Sequence, residues 1–367
     1  MHGQFWILCG LLALAGGCTE YKLEGATDAA GTDSGDARDS IEGDPDDPDD
    51  PVDPGETASV SGRVCNPSGG DWIVGAYVWV AVDDDGDGTE DWRAEDSTDI
   101  DGRFLLEGLP PGDHTVRVEK GSFSSSYDVT LDLGLYEIPE EECALDPPTI
   151  AVISGAYDHI EDILDDLALD HTLIDGTGAE YIGFLRDASR MAEFDIIFFN
   201  CGIADSWHGH EAQISANITT FVEDGGSIYA SDWAHYFVEA AFPGKIDFYG
   251  EDSIYSAPRV GMDGNVTAQV IDPTMQAIIG GATASINYDL SMWVVPQHLG
   301  SGVDTLLQAS VPIMDFWTGT YTTIPNAPIA TRFEVAAGRV IYTSFHNEHQ
   351  ATTVHMRDIL EEIILSL

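Results

Sequence analysis

The sequence predicts a multidomain protein: a small all-β sandwich followed by an α/β doubly wound parallel-sheet domain. Three observations carry this prediction. Short alternating apolar runs recur between turn residues across residues 57–146. After Asp146-Pro147-Pro148 the period changes, and β-branched runs alternate with amphipathic stretches. Ahead of both, Thr19 to Glu56 is rich in Asp, Pro, Gly and Ser, with almost no large apolar side chain.

The 367 residues leave room for two domains beyond a leader and a linker. Sixty-five acidic residues against 14 basic ones give a net charge of −51. Such a chain is repelled by nucleic acid and by anionic lipid headgroups, so nucleic-acid binding is excluded.

Residues 1–18 read as an export signal. Phe5 to Ala15 is an apolar run of signal-core length, too short to span a bilayer, and Ala15, Gly16 and Gly17 then precede Cys18. This resembles a bacterial lipoprotein signal, which implies lipidation of Cys18 and attachment to a membrane through it. The alternative is an ordinary cleaved secretory peptide. By the sorting known for such lipoproteins, Thr19 rather than Asp after the cysteine implies the outer membrane of the cell envelope. Residues 19–56, densest in charge from Asp44 to Pro51, cannot offset the entropy of ordering and are expected to be a disordered acidic linker. Stretched, such a linker reaches on the order of 100 Å.

Within residues 57–146, Val60–Val64, Ala76–Val82, Phe104–Leu106 and His114–Val118 read as strands, punctuated by Gly108, Pro110, Pro111 and Gly112. Cys65 and Cys143 lie near the two ends of this segment, and an exported chain meets an oxidising compartment, so a disulfide between them is expected. The stretch from Asp99 through Gly108-Leu109-Pro110-Pro111-Gly112 to Val116 resembles the carboxypeptidase regulatory-like family. That resemblance implies a transthyretin-like sandwich serving as a spacer or adhesive module. Asp83, Asp85, Asp87 and Asp91 have the alternating spacing of a calcium loop, with Gly88 at the sharp turn. Their oxygen-only ligand set suits Ca²⁺, although Ala94 stands where a bidentate Glu would complete the loop. The alternative is an acidic hairpin tip without a fixed ion.

Residues 147–367 alternate strand and helix. Thr149–Ile153, His171–Ile174, Phe194–Phe199 and Ser227–Ala230 read as strands separated by helices, the last of these helices ending at Gly225-Gly226. This order implies a parallel, flavodoxin-like sheet. Thr267–Ile271 and Thr305–Ala309 read as further strands in a less regular stretch. Val340–Phe345 and a final helix carrying Met356, Ile359, Leu360, Ile363 and Ile364 close the domain.

Candidate chemistry gathers where these strands end. Phe345-His346-Asn347-Glu348, Asn200-Cys201-Gly202 and Gly225-Gly226-Ser227-Ile228-Tyr229-Ala230-Ser231-Asp232 resemble motifs of the class I glutamine amidotransferase-like superfamily, especially its trehalose-utilisation-type branch. The resemblance implies a His-Glu pair at His346 and Glu348, backbone amides near Gly202 that receive an oxyanion, and a nucleophile on the turn after Ala230. Here that turn carries Ser231 and Asp232, with neither Cys nor Gly. Glutamine hydrolysis through a thiolate is therefore not expected, and Cys201 lies in the wrong loop for it. Ser231 with His346 as base and Glu348 as orienter is one catalytic arrangement.

A second arrangement draws on Asp205, His208, His210 and Glu211 after the third strand, Asp232 and His235 after the fourth, and His346, Glu348 and His349 after the last. A doubly wound sheet opens these loops on one carboxyl edge, where they would line a metal site or a metal-free polar pocket. The leading expectation is thus an envelope protein whose amidotransferase-like domain, without catalysis, binds a small polar ligand or an envelope protein partner. A serine- or metal-dependent hydrolase is the alternative.

Overall fold

The computed structural model describes residues 57–204, 207–249, 260–315, 318–347 and 354–367. The leader with Cys18, the linker, Asp205, Glu348 and His349 lie outside the described residues.

Seven strands build the sandwich: β1 (Ala58–Arg63), β2 (Tyr77–Val82), β3 (Trp92–Ser97), β4 (Arg103–Leu109), β5 (Gly112–Lys120), β6 (Phe123–Leu131) and β7 (Gly134–Glu137). They form a three-stranded sheet, β4-β1-β7, and a four-stranded one, β3-β2-β5-β6. Alternation does the sorting. Val60, Phe104, Leu106, Val78, Val80, Val116 and Val118 point into the shared core, and their neighbours lie on the outer faces, where Trp79 is covered by Tyr77 and Arg93. A disulfide joins Cys65 to Cys143, and the Cys65 N–H also donates to the Cys143 carbonyl.

The α/β part contains β8 (Ile150–Ile153), α1 (Ile160–Asp166), β9 (His171–Ile174), α2 (Glu180–Leu185), α3 (Ala188–Met191), β10 (Ile196–Phe199), α4 (Glu211–Glu223), β11 (Ser227–Ser231) and α5 (His235–Ala241). It continues with β12 (Ile246–Phe248), β13 (Val260–Gly261), β14 (Gly264–Val270), α6 (Pro273–Ile279), β15 (Thr283–Tyr288) and β16 (Pro296–Leu299). The last elements are β17 (Val303–Met314), β18 (Tyr321–Val335), β19 (Gly338–Thr343) and α7 (Val354–Leu365).

Five strands pair in parallel in the order β9-β8-β10-β11-β19. The first strand in sequence therefore lies inside the sheet, and the winding reverses between β8 and β10. Strands β8 and β10 are buried throughout, as continuous apolar runs covered on both faces should be. The parallel half follows the sequence reading, but the sheet does not stop at β19. Strands β18, β17, β14 and β15 extend it in antiparallel fashion, so the sheet is mixed. The helical stretch between β9 and β10 is split into α2 and α3, because the Asp187 side chain accepts from the Ser189 and Arg190 amides and starts a new helix.

Helix α7 ties the two parts together. Lys120, at the end of β5, pairs with Glu362 at 2.7 Å, with side-chain exposures of 9% and 5%. The Lys120 ammonium also donates to the Val74 carbonyl, and Asn66 donates to Glu361. At Gly121 a Cβ would lie 2.3 Å from the Leu367 carbonyl, so only glycine lets the β5–β6 turn close on the end of α7.

Removing one partner of a buried ion pair leaves the other charge uncompensated, whereas removing both does not. Lys120→Met should destabilise the protein by about 3–5 kcal/mol, and adding Glu362→Leu should recover most of that loss in denaturant titrations.

Candidate functional site

The carboxyl edge of the parallel half collects polar side chains from four strands. The loop after β8 brings Asp158, β10 runs into Asn200 and Cys201, β11 ends in Ser231 and Asp232, and β19 runs into His346 and Asn347. Asp289 arrives from the end of the antiparallel strand β15.

The turn out of β11 sets the geometry. Ser231 is still extended, at φ −110° and ψ 137°, whereas Asp232 has φ 44°. A left-handed backbone at a residue with a Cβ costs on the order of 1–3 kcal/mol and persists only where its surroundings enforce it. Here the Val294 N–H donates to Asp232 Oδ1 at 2.7 Å, and the Tyr342 hydroxyl donates to the Asp232 carbonyl at 3.2 Å. The carboxylate is thereby aimed at His346. Its Oδ2 lies 3.1 Å from His346 Nε2, while Asp289 Oδ1 lies 3.2 Å from His346 Nδ1. Asp232 is 2% and His346 6% exposed.

Burial alone would push the His346 imidazole down. The hydrogen bond to Asp232 and the charges of Asp232, Asp158 and Asp289 outweigh it, and the ring is pushed up to about 9. Both ring nitrogens then donate at neutral pH, one to each aspartate. Burial raises the Asp232 carboxyl, and His346 partly offsets that rise.

Cys201 is the third group at this point. Its Sγ donates to Asp232 Oδ2 at 3.5 Å and accepts the Trp233 N–H. Burial, and then the Asp232 charge, hold the thiol well above its ordinary value. Behind it, Ser231 Oγ accepts the Cys201 N–H at 3.0 Å and donates to Asp158. Asp158 is fully buried and accepts from the Asn347 backbone N–H at 2.8 Å and side-chain amide at 3.0 Å. It locks the loop after β19 onto the loop after β8. Asn347 Oδ1 in turn accepts the Tyr229 hydroxyl at 2.9 Å.

The structure thus brings Asp232 and His346 together and places Ser231 one residue before the turn, with its hydroxyl engaged by Cys201 and Asp158. Gly202 lies on the same edge with φ 91°, where a Cβ would sit 2.6 Å from the Ala156 amide nitrogen. His208 stands on the surface beside Glu211, 3.6 Å away. His235 is buried between Trp233 and Phe248, and burial pushes its imidazole down to about 4. Glu348, expected as the orienter, lies outside the described residues, and Asp289 makes the contact to His346 Nδ1. Asp289, Asp158 and Asn347 were not among the expected site residues. Asp158-His159 after the first strand was a readable signal, since that loop lies on the same edge. Asp289 had none.

On the sandwich, the carboxylates of Asp83, Asp85 and Asp91 lie within 4.8 Å of one another at the exposed β2–β3 tip. Asp83 accepts the Gly86 and Gly88 amides, and Asp87 accepts the Thr89 amide.

Residues 59–136 match the carboxypeptidase regulatory-like domain family. No protein of curated function matches the chain in sequence. Among solved structures, a cytoplasmic protein from Salmonella typhimurium is similar at 11% identity and a TM-score of 0.39, over 59% of this chain and 97% of that one. A ThuA-like protein from Bacteroides uniformis is similar at 11% identity and a TM-score of 0.40, over 59% and 90%. PurLQS from Thermotoga maritima is similar at 12% identity and a TM-score of 0.38, over 60% and 98%.

Proposed function

We propose that this protein is anchored to the cell envelope through a lipid on Cys18, and that its α/β domain is an acid–base hydrolase acting on a small, uncharged polar substrate. The anchor reading is supported by the apolar run before Cys18 and by the charged linker after it. Cys18→Ser is expected to move the protein from the membrane to the soluble fraction, and an unchanged distribution would remove the anchor.

The hydrolase reading is carried by one observation: a strained Asp232 holds its carboxylate on His346, whose far nitrogen is held by Asp289. An imidazole held between two carboxylates can pass a proton at Nε2 while its ring stays oriented through Nδ1. Three aspartates at the site and a net charge of −51 oppose anionic substrates. Acyl transfer fits less well. The amide after the turn residue, which would receive an oxyanion, is engaged by the Cys201 sulfur.

Incubation of the full-length protein with neutral esters, amides and glycosides tests the reading. Asp232→Asn and His346→Gln should each slow turnover by about 10²–10⁴-fold. Wild-type rates in those variants would overturn it. A second reading, ligand binding without chemistry, is favoured by the burial of Ser231, Asp232, His346 and Asn347, each under a tenth exposed. A ligand that raises the melting temperature without being consumed would support it.

For the β2–β3 tip we propose Ca²⁺ held by Asp83, Asp85 and Asp91, with a stiffening role. Millimolar Ca²⁺ should raise the melting temperature of wild type but not of Asp83→Asn/Asp85→Asn; equal shifts in both would remove the site.

A further inference from the structure

We propose that Cys201, Asp232 and His346 form a tripod for Zn²⁺ or a similar borderline-soft divalent ion. This inference rests on the reading of the same centre as a hydrolytic site and changes its chemistry, because an ion bound at Nε2 occupies the atom from which His346 would pass a proton. One ligand atom from each residue lies within 4.8 Å of the others, and all three residues are buried.

The two separations from Asp232 fit the ion. A tetrahedral Zn²⁺ with Zn–S of about 2.3 Å and Zn–O or Zn–N of about 2.0 Å sets sulfur and oxygen about 3.5 Å apart, and nitrogen and oxygen about 3.3 Å apart. The observed distances are 3.5 Å for Cys201 Sγ to Asp232 Oδ2 and 3.1 Å for His346 Nε2 to Asp232 Oδ2. The donor set is selective as well. One thiolate, one imidazole and one carboxylate suit Zn²⁺ and exclude Ca²⁺ or Mg²⁺ as the preferred occupant.

Each ligand is also held from behind, as metal ligands are. Asp289 takes the His346 Nδ1–H at 3.2 Å, giving a carboxylate–histidine pair that points Nε2 at the ion. The Val294 amide fixes Asp232 Oδ1 and leaves Oδ2 for the ion. The Trp233 amide donates to the Cys201 sulfur.

Binding exchanges protons for the ion. Cys201 loses its Sγ proton and His346 its Nε2 proton, so the two ligand anions balance the dication and two protons pass to solvent. Three protein ligands leave a fourth position for water, the arrangement of a hydrolytic rather than a structural zinc site.

The test is Co²⁺ titration of chelator-treated full-length protein. We expect a thiolate-to-cobalt charge-transfer band that saturates at one equivalent and is displaced by Zn²⁺. Cys201→Ser should lose the band, and Asp289→Asn should keep it while weakening affinity by about 10–100-fold. The acidic linker and the β2–β3 tip offer only oxygen ligands, so cations held there give no such band. Absence of the band in wild type, or its persistence in Cys201→Ser, would overturn the tripod. The wild-type spectrum decides even if a variant fails to fold. Because the readout is metal binding, a negative result leaves the turnover assay to judge the acid–base reading by itself.

Discussion

The contact on which the carboxyl edge depends is the one between the Asp232 carboxylate and His346. A single imidazole sits among Asp232, Asp289 and Asp158, and with Asp232 and Asp158 almost wholly buried the arrangement is costly to isolate from water. The cost is tolerable only because each charge has a defined partner. Asp232 has the ring and the Val294 amide, Asp289 has the other ring nitrogen, and Asp158 has the Asn347 backbone and side-chain amides together with the Ser231 hydroxyl. The strained turn at Asp232 belongs to the same arrangement. Relaxing its backbone would swing the carboxylate away from the ring and leave His346 with Asp289 alone. The strain is held by the hydrogen bonds from Val294 and Tyr342 and by the contact with His346.

The two parts of the chain are joined by the helix that follows the β19 loop in sequence. Helix α7 packs Met356, Ile359, Leu360, Ile363 and Ile364 into the core while its polar side presents Glu361 and Glu362 to the sandwich. The sandwich is therefore bound to the α/β part through buried polar contacts as well as through the chain. Its Lys120 compensates a carboxylate on the helix that follows the β19 loop, the loop that carries His346.

Much of the scaffold was legible in the sequence. Strands β8, β10, β11 and β19 are nearly unbroken apolar runs because both of their faces are covered, and such runs are readable without knowledge of partners. His346 and Asp232 were readable too, as polar residues directly following those runs. The choice between Ser231 and Asp232 was not. Which of two adjacent residues takes the positive φ depends on where Val294 and Tyr342 supply hydrogen bonds, 62 and 110 residues away from Asp232 in sequence. Asp289 was invisible for a related reason. It comes from an antiparallel extension whose half-exposed strands carry no motif, and its partner His346 is 57 residues further on.

The same geometry narrows the chemistry. A thiol or hydroxyl on the turn would attack a carbonyl and need a free amide beside it to receive the oxyanion. Here the turn carries a carboxylate, which is acceptor-only when ionised, and the adjacent amide points at a sulfur. Aspartate, imidazole and thiol instead converge on one point, each held by a further hydrogen bond. Such a convergence with fixed backing can hold something positive, whether the proton that His346 Nε2 donates to Asp232 or the metal ion proposed in its place. In either arrangement the side chain presented by the turn is the Asp232 carboxylate, while the Ser231 hydroxyl beside it is engaged by Cys201 and Asp158.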